Sequence, residues 1–263
     1  MTTYLSFSIY FVYDGNWLLF SGPAVFRRVA DFHRIYKIKM LIIFMYKLSP
    51  SSIGLMQECP RCFWLDKHGK WKRPSGIFPS LPSGMDGILK KHFDSFRNKG
   101  LLPPELCDNE HCKNMKLFND ENLLKIWRSN LKGVRWEDEK GNVLSGAVDN
   151  ILVNGKKLIV LDYKTRGFAL KEDTHHHYQH QLDIYNFLLR KNGYETEDYG
   201  FLLFYIPNKV LETGEIVFEK HLIKMEANIH HAEKLFKDAL KLLNGTCPKK
   251  GCEWCEGVRH DSE

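Results

Sequence analysis

Asp149, Asp162 and Lys164 lie on either side of an Asn-Gly pair in the stretch GAVDNILVNGKKLIVLDYKT, Gly146 to Thr165. Two carboxylates and an ammonium gathered at one place suit metal-dependent cleavage of phosphodiesters. The carboxylates, waters and the backbone carbonyl of Tyr163 would hold Mg²⁺ or Mn²⁺ and leave coordination positions for a phosphate. Such an ion lowers the pKa of a bound water and offsets the charge that builds up at phosphorus. Lys164 beside it would orient the water or neutralise developing negative charge.

That chemistry depends on how the chain places the three side chains. Asn154-Gly155, flanked by Val, Ile and Leu, predicts a two-residue hairpin turn. The register then sets Val153 opposite Lys156 and Asp149 opposite Val160. Side chains alternate faces along a strand and cross-strand partners share a face, so Asp149, Asp162 and Lys164 point to one side. A three-residue turn with a bulge would shift the register by one and separate them. The alternative is an ordinary hairpin with an exposed Asp–Lys pair. Val148, Ile151, Ile159, Val160 and Leu161 argue instead for strands buried on both faces.

A helix is expected next, over YQHQLDIYNFLLRKNG. Tyr178, Leu182, Tyr185 and Leu189 recur at helical spacing, and Gly193 is a stop. Gln181 and Tyr185 are one turn apart on that helix. Gln181-x-x-x-Tyr185 downstream of Asp162-x-Lys164 resembles the Q-x-x-x-Y element of RecB-type nucleases. From about Leu48 to Arg259 the chain resembles the PD-(D/E)XK nuclease superfamily, and within it the branch that carries an iron–sulfur cluster, such as AddB-type nuclease domains and CRISPR adaptation exonucleases. The resemblance implies that Asp149 and Asp162 bind metal, Lys164 is catalytic, and Gln181 and Tyr185 position the site and the strand. On their own, Gln181 and Tyr185 read as a helix face packed on a sheet. His175, His176, His177 and His180 read more simply as a solvated run than as a metal site, with His177 placed to meet a phosphate.

The seven cysteines form three groups: Cys59 and Cys62, Cys107 and Cys112, and Cys247, Cys252 and Cys255. No secretory signal precedes them, so disulfides are a poor default. The string CPKKGCEWC puts three thiols on one short segment, one short of a tetrahedral metal or a 4Fe–4S cluster. In the resembled branch the fourth comes from a Cys near the start of the domain, in a stretch similar to ECPRCFWL, and Cys59 fits that role better than Cys62. The implied ligand set is Cys59, Cys247, Cys252 and Cys255, holding a 4Fe–4S cluster with Zn²⁺ as the alternative. Such a clasp would tie the two ends of the domain together. Cys107 and Cys112 read as incidental.

With 263 residues and 43% apolar content, the chain can bury one good α/β core. The expected fold is a mixed central β-sheet flanked by helices, the restriction-endonuclease-like core, built in the order helices, hairpin, helix, two strands, helix. A net charge of +6 and a pI near 8.8 permit a polyanionic partner without requiring one. Trp64, Trp71, Trp127 and Trp136 could stack on bases, but core or rim positions are the simpler reading. Residues 1–44 differ from the rest, with aromatics mixed among Arg27, Arg28, Arg34, Lys37 and Lys39. They read as a disordered extension or an artefact upstream of a true start at Met45, with a basic amphipathic anchor as the alternative. The nuclease-like domain then covers 45–263, and Ser49-Pro50 begins its first helix. Leu41 to Met45 is too short an apolar run to cross a bilayer.

Residues Pro74 to Pro82 read as a loop, followed by a helix ending at Gly100. The resemblance places a metal-binding His at the position of Ile88, which cannot bind metal. Asp86 either substitutes as a ligand or belongs to a capping arrangement with Ser83. Taken together, these features suggest a cytoplasmic, Mg²⁺- or Mn²⁺-dependent deoxyribonuclease. The resemblance adds exonuclease action on single-stranded DNA or duplex ends, with a helicase or other repair or defence protein as a possible partner. The alternative is a catalytically weak nucleic-acid-binding module on the same fold. A zinc-stabilised domain with no nuclease role is a third reading.

Overall fold

The computed structural model describes residues 7–13, 16–21, 41–76 and 78–258, those before residue 45 as backbone only. The chain divides into two compact units, Met1–Lys47 with Glu137–Val143, and Leu48–Trp136 with Leu144–Glu263. In the first unit, β1 (Phe7–Tyr13) pairs antiparallel with β2 (Asn16–Ser21) and with β3 (Leu41–Phe44). There the Tyr46 N–H donates to Asn142 Oδ1 at 3.0 Å, and Asp138 Oδ1 accepts from the Asn142 N–H at 2.8 Å. The reading of residues 1–44 as disordered or as lying upstream of the true start falls for the most part outside the described residues.

A short strand, β4 (Lys47–Leu48), precedes α1 (Pro50–Glu58). Ser49 caps that helix as the Ser-Pro pair predicts. Its hydroxyl accepts from the Ser52 N–H at 3.2 Å, and its own N–H donates to Ser52 Oγ at 2.8 Å. Cys59 ends α1 and caps α2 (Pro60–Lys67).

The next helix, α3 (Ser80–Asn98), begins earlier than the sequence suggested. Leu81 and Pro82 belong to its first turn and not to the loop. Proline is tolerated there because the N–H groups of a first turn have no helical partner in any case. Asp86 therefore lies well inside the helix and is no cap residue. After α4 (Pro104–Cys107), β5 (Lys116–Leu117) and α5 (Glu121–Trp127) come β6 (Val134–Glu137) and β7 (Val143–Gly146). The second unit is completed by β8 (Asn150–Asn154), β9 (Lys157–Thr165), α6 (Gln179–Lys191), β10 (Tyr199–Val210), β11 (Ile216–Glu226) and α7 (Ile229–Leu243).

The main sheet has the order β11-β10-β9-β8-β5. Strands β9 and β10 are parallel and the other pairs antiparallel, which makes the sheet mixed. A parallel pair needs a crossover connection, and α6 supplies it. Leu89 and Phe93 of α3 pack on one face, against Leu152, Ile159, Leu161, Tyr163, Phe201 and Leu203. The opposite face meets α6: a Cβ added to Gly200 would lie 2.5 Å from Leu182 Cδ1. This is the expected restriction-endonuclease-like architecture of a mixed sheet flanked by helices.

The hairpin register differs from the predicted one. Asn154 pairs with Lys157 and Ile151 with Val160, so the two loop residues are Gly155 and Lys156. Gly155 takes φ +60°, the conformation that the first central position of such hairpin turns demands. Relative to expectation the register slips by two residues, and a slip of two preserves which side chains share a face. Continued past Asn150–Leu161, it sets Asp149 level with Asp162.

Candidate active site and cysteine centre

Asp162 sits on β9 with only 2% of its side chain exposed. Its Oδ2 lies 2.6 Å from Lys164 Nζ, two residues along on the same face. Oδ1 has no hydrogen-bond partner among the described residues. Lys164 Nζ donates in turn to Gln181 Oε1 at 3.0 Å, and Gln181 Nε2 donates to Tyr185 Oη at 2.7 Å. The Lys164 ammonium also stands 4.9 Å from the centre of the Tyr178 ring, within cation–π range. Strand β9 and helix α6 are thus joined by one polar chain, Asp162–Lys164–Gln181–Tyr185. Burial pushes the Tyr185 hydroxyl's pKa well up, so it stays protonated.

Asp149 lies just before β8, with a side chain 18% exposed. Its carboxyl pKa is pushed up from 3.8 to about 6, first by burial and then by the charge of Asp162. Lys90 of α3 opposes that rise, with Nζ 3.2 Å from Asp149 Oδ1 and 2.8 Å from Asp86 Oδ2. Asp86 therefore joins the acidic cluster through Lys90, while Ile88 is 63% exposed. The Tyr163 side chain turns to the other face and packs on Phe93, with ring centres 5.7 Å apart. Its buried hydroxyl has no hydrogen-bond partner among the described residues, and burial and then the charges of Asp149 and Asp86 push its pKa up.

Sequence reasoning missed the brace beneath Asp149. Arg128 Nε donates to the Asp149 carbonyl at 2.6 Å and Nη2 to Asn150 Oδ1 at 2.8 Å, while Nη1 reaches both Asp94 oxygens at 2.9 Å. Arg97, also buried, binds the same Asp94, Asn150 Oδ1 at 2.6 Å and the Phe118 carbonyl at 2.7 Å. Arg128 thus fixes the backbone at the start of β8, and both guanidiniums hold the Asn150 side chain. The Asp94-x-x-Arg97 spacing was the only visible trace of this network, since a buried arginine leaves no periodic signal.

Beside the polar chain is a cleft of about 850 Å³, lined among others by Gln181, Tyr185, Tyr178, His177, His180 and Lys132. The carboxylates do not line it; their link to it runs through Lys164 and Gln181. The His175 and His176 rings lie tilted at 34° with centres 4.2 Å apart, and the histidine run forms no metal-holding group among the described residues.

Two carboxylates, one of them buried with an unpartnered oxygen and the other destabilised as an anion by the first, suit a divalent cation. A buried charge without compensation is costly, and a cation between the two removes that cost. A family profile for the PD-(D/E)XK nuclease superfamily matches residues 47–258. The chain belongs to this superfamily. Nucleases of the PD-(D/E)XK superfamily use divalent metals on a nucleic-acid substrate, which accords with the donor set on this sheet. A comparison with curated proteins finds no match.

The PD-(D/E)XK domain also carries a four-cysteine centre. Cys59, Cys62, Cys252 and Cys255 have their sulfurs all within 4.8 Å of one another, and the group can hold a metal ion. Cys62 takes the place that the resemblance gave to Cys247. The reason is local: Cys59 caps α2, so Cys62 follows one turn later on the same side of the helix. Cys252 and Cys255 repeat that spacing, and the paired Cys-x-x-Cys signal was present in the sequence. Cys247 packs against the group from outside.

The rest of α2 fastens the C-terminal segment. Arg61 donates to the Pro248 carbonyl at 2.9 Å and the Val258 carbonyl at 2.8 Å, and Trp64 Nε1 donates to the Gly245 carbonyl at 3.0 Å. Trp64 is therefore a structural residue, and Trp127 and Trp136 pack on Phe118 and Phe187. Among the described residues no helix is long and apolar enough to cross a membrane.

Proposed function

We propose that this chain is a Mg²⁺- or Mn²⁺-dependent deoxyribonuclease whose metal is held by Asp149 and Asp162. The observation that carries this reading is the buried Asp162 carboxylate, with one oxygen on Lys164 and the other unpartnered. Bound there, the metal would supply an activated water and charge stabilisation at phosphorus.

The chain's own residues do the rest. Lys164, held by Gln181, presents its ammonium to the scissile phosphate or the attacking water. Tyr185 fixes Gln181, and the backbone carbonyl of Tyr163 supplies a further metal ligand. Asp86 acts on Asp149 through Lys90 and not as a ligand in its own right. Gln181, Tyr178 and His177 face the cleft, where a single DNA strand or a frayed duplex end would run. Exonuclease action, a RecB-like affiliation, a repair or defence role with a helicase partner, and a cytoplasmic setting are proposed on the resemblance.

For the cysteine centre we propose a single tetrahedral ion, Zn²⁺ in the first place, over a 4Fe–4S cluster. Four thiolates about 2.3 Å from one zinc stand about 3.8 Å apart. The observed separations are 3.5 Å for Cys62–Cys252, 3.8 Å for Cys59–Cys255 and 3.9 Å for Cys252–Cys255. A cubane of eight atoms would force them much farther apart. The ion is structural: it staples α2 to the chain's C-terminal segment.

The test is cleavage of oligonucleotides labelled at either end, single-stranded and duplex, with Mg²⁺, Mn²⁺ or EDTA. Metal-dependent shortening from an end supports the exonuclease. A folded protein that binds DNA and leaves it intact would favour the binding module instead.

A further inference from the structure

An ammonium group stands between two of the three carboxylates. The contact of Lys90 with Asp86, one turn back on α3, is an ordinary helix pair. The contact with Asp149 is not, because Asp149 comes from a different part of the chain and is mostly buried. The two carboxylates proposed as metal ligands are thereby matched. Asp149 has Oδ1 on Lys90, and Asp162 has Oδ2 on Lys164. Asp162 Oδ1 is buried and has no hydrogen-bond partner among the described residues, and each carboxylate has a second oxygen beyond the one that meets its lysine. That arrangement offers one cation place between the two carboxylates.

We propose that Lys90 is a built-in cation that fills the Asp86–Asp149 half of the site, so that the centre takes one divalent ion and not two. This rests on the metal-nuclease reading above. Two-metal sites place their ions about 3.5–4 Å apart on a shared carboxylate. Here the shared carboxylate would be Asp149, and its outer oxygen already carries a monovalent cation 3.2 Å away. A divalent ion in that position would have to expel the ammonium or sit against it. Asp86, Asp149 and Asp162 carry three negative charges, and Lys90 and Lys164 return two. One divalent ion then leaves the cluster at +1, and a second would raise it to +3. The exposed Ile88 fits the same picture, since the face of α3 that meets Asp149 carries Asp86 and Lys90 and no neutral ligand.

The test is a count of Mn²⁺ ions by electron paramagnetic resonance titration of the full chain with its cysteine centre loaded. Only ions lost when Asp149→Asn, the carboxylate common to both places, is added to each variant are counted. Wild type and Lys90→Arg should bind one ion. Lys90→Met should bind two, with a spin-coupled spectrum, and adding Asp86→Asn to it should return the count to one. Two coupled ions in wild type, or a single ion in a folded Lys90→Met, would overturn the proposal. No Mn²⁺ bound by folded wild type would remove the metal centre itself and the nuclease reading with it. Thermal melting of each variant checks that it is folded, and the wild-type count needs no variant to be decisive.

Discussion

Lys164 Nζ donates to Gln181 Oε1 at 3.0 Å, which ties the strand bearing the ammonium to the helix behind it. Gln181 therefore acts by holding Lys164. Gln181→Ala should lower kcat about 10–100-fold, the scale of a misplacement near 1 Å, with little change in KM. Gln181→Glu keeps the acceptor and should retain more activity than the alanine variant. Equal loss in the two, or a change confined to KM, would show that Gln181 contacts the strand and not Lys164.

Asp149 gives the metal-free protein a pH signature. Its folded pKa of about 6 lies above the unfolded 3.8, so the folded state holds that proton more tightly. The stability this contributes is present below about pH 4 and lost as pH rises to about 6. Asp149→Asn should therefore stabilise the metal-free protein by about 1–3 kcal/mol near pH 7.5, and by nothing near pH 4. Denaturant melts at the two pH values measure this. Mn²⁺ should stabilise the wild type at the higher pH and leave Asp149→Asn unmoved.

The two readings of the cysteine centre part at Cys62 and Cys247. Cys62→Ser should lose the bound metal and lower the melting temperature, because the ion joins α2 to the C-terminal segment. Cys247→Ser should keep one ion per chain. Metal analysis of the purified variants decides it, and a colourless protein containing zinc identifies the ion. Metal loss in Cys247→Ser with none in Cys62→Ser would restore the set drawn from resemblance.

The approach of Gly146 to Tyr185 is a test of packing. A Cβ at Gly146 would lie 2.6 Å from Tyr185 Cε1 and 3.3 Å from Pro50 Cγ. Gly146→Ala should push the buried Tyr185 ring off Gln181, at a cost of about 1–3 kcal/mol in stability. Activity should fall along the same path as in Gln181→Ala. A fully active, fully stable Gly146→Ala would mean that Tyr185 has room the structure does not show.

Much of the site was legible because alternation along a strand is a strong rule. Asp162 and Lys164 were placed on one face, where they meet at 2.6 Å, and the turn assigned one position early did not disturb this because the resulting slip was two residues. Gln181 and Tyr185 were legible from helical spacing. Lys90, Arg97 and Arg128 were not, because each reaches across tens of residues to a partner that no local pattern marks. Cys62 was misjudged because resemblance outweighed a plain observation: two Cys-x-x-Cys pairs make a symmetrical set of four. The early start of α3 was hidden by Pro82, read as a breaker although first-turn proline is tolerated.

Asp162 and Lys164 as the centre of metal-dependent cleavage are tested most directly by Lys164→Met on end-labelled DNA under single-turnover conditions, with Mn²⁺ or with EDTA. Wild type should cleave with Mn²⁺ and stop with EDTA. Lys164→Met should still bind DNA and Mn²⁺, yet cleave at least about 100-fold more slowly. A Lys164→Met protein that cleaves at the wild-type rate, or a wild type that cleaves equally well in EDTA, would contradict the account.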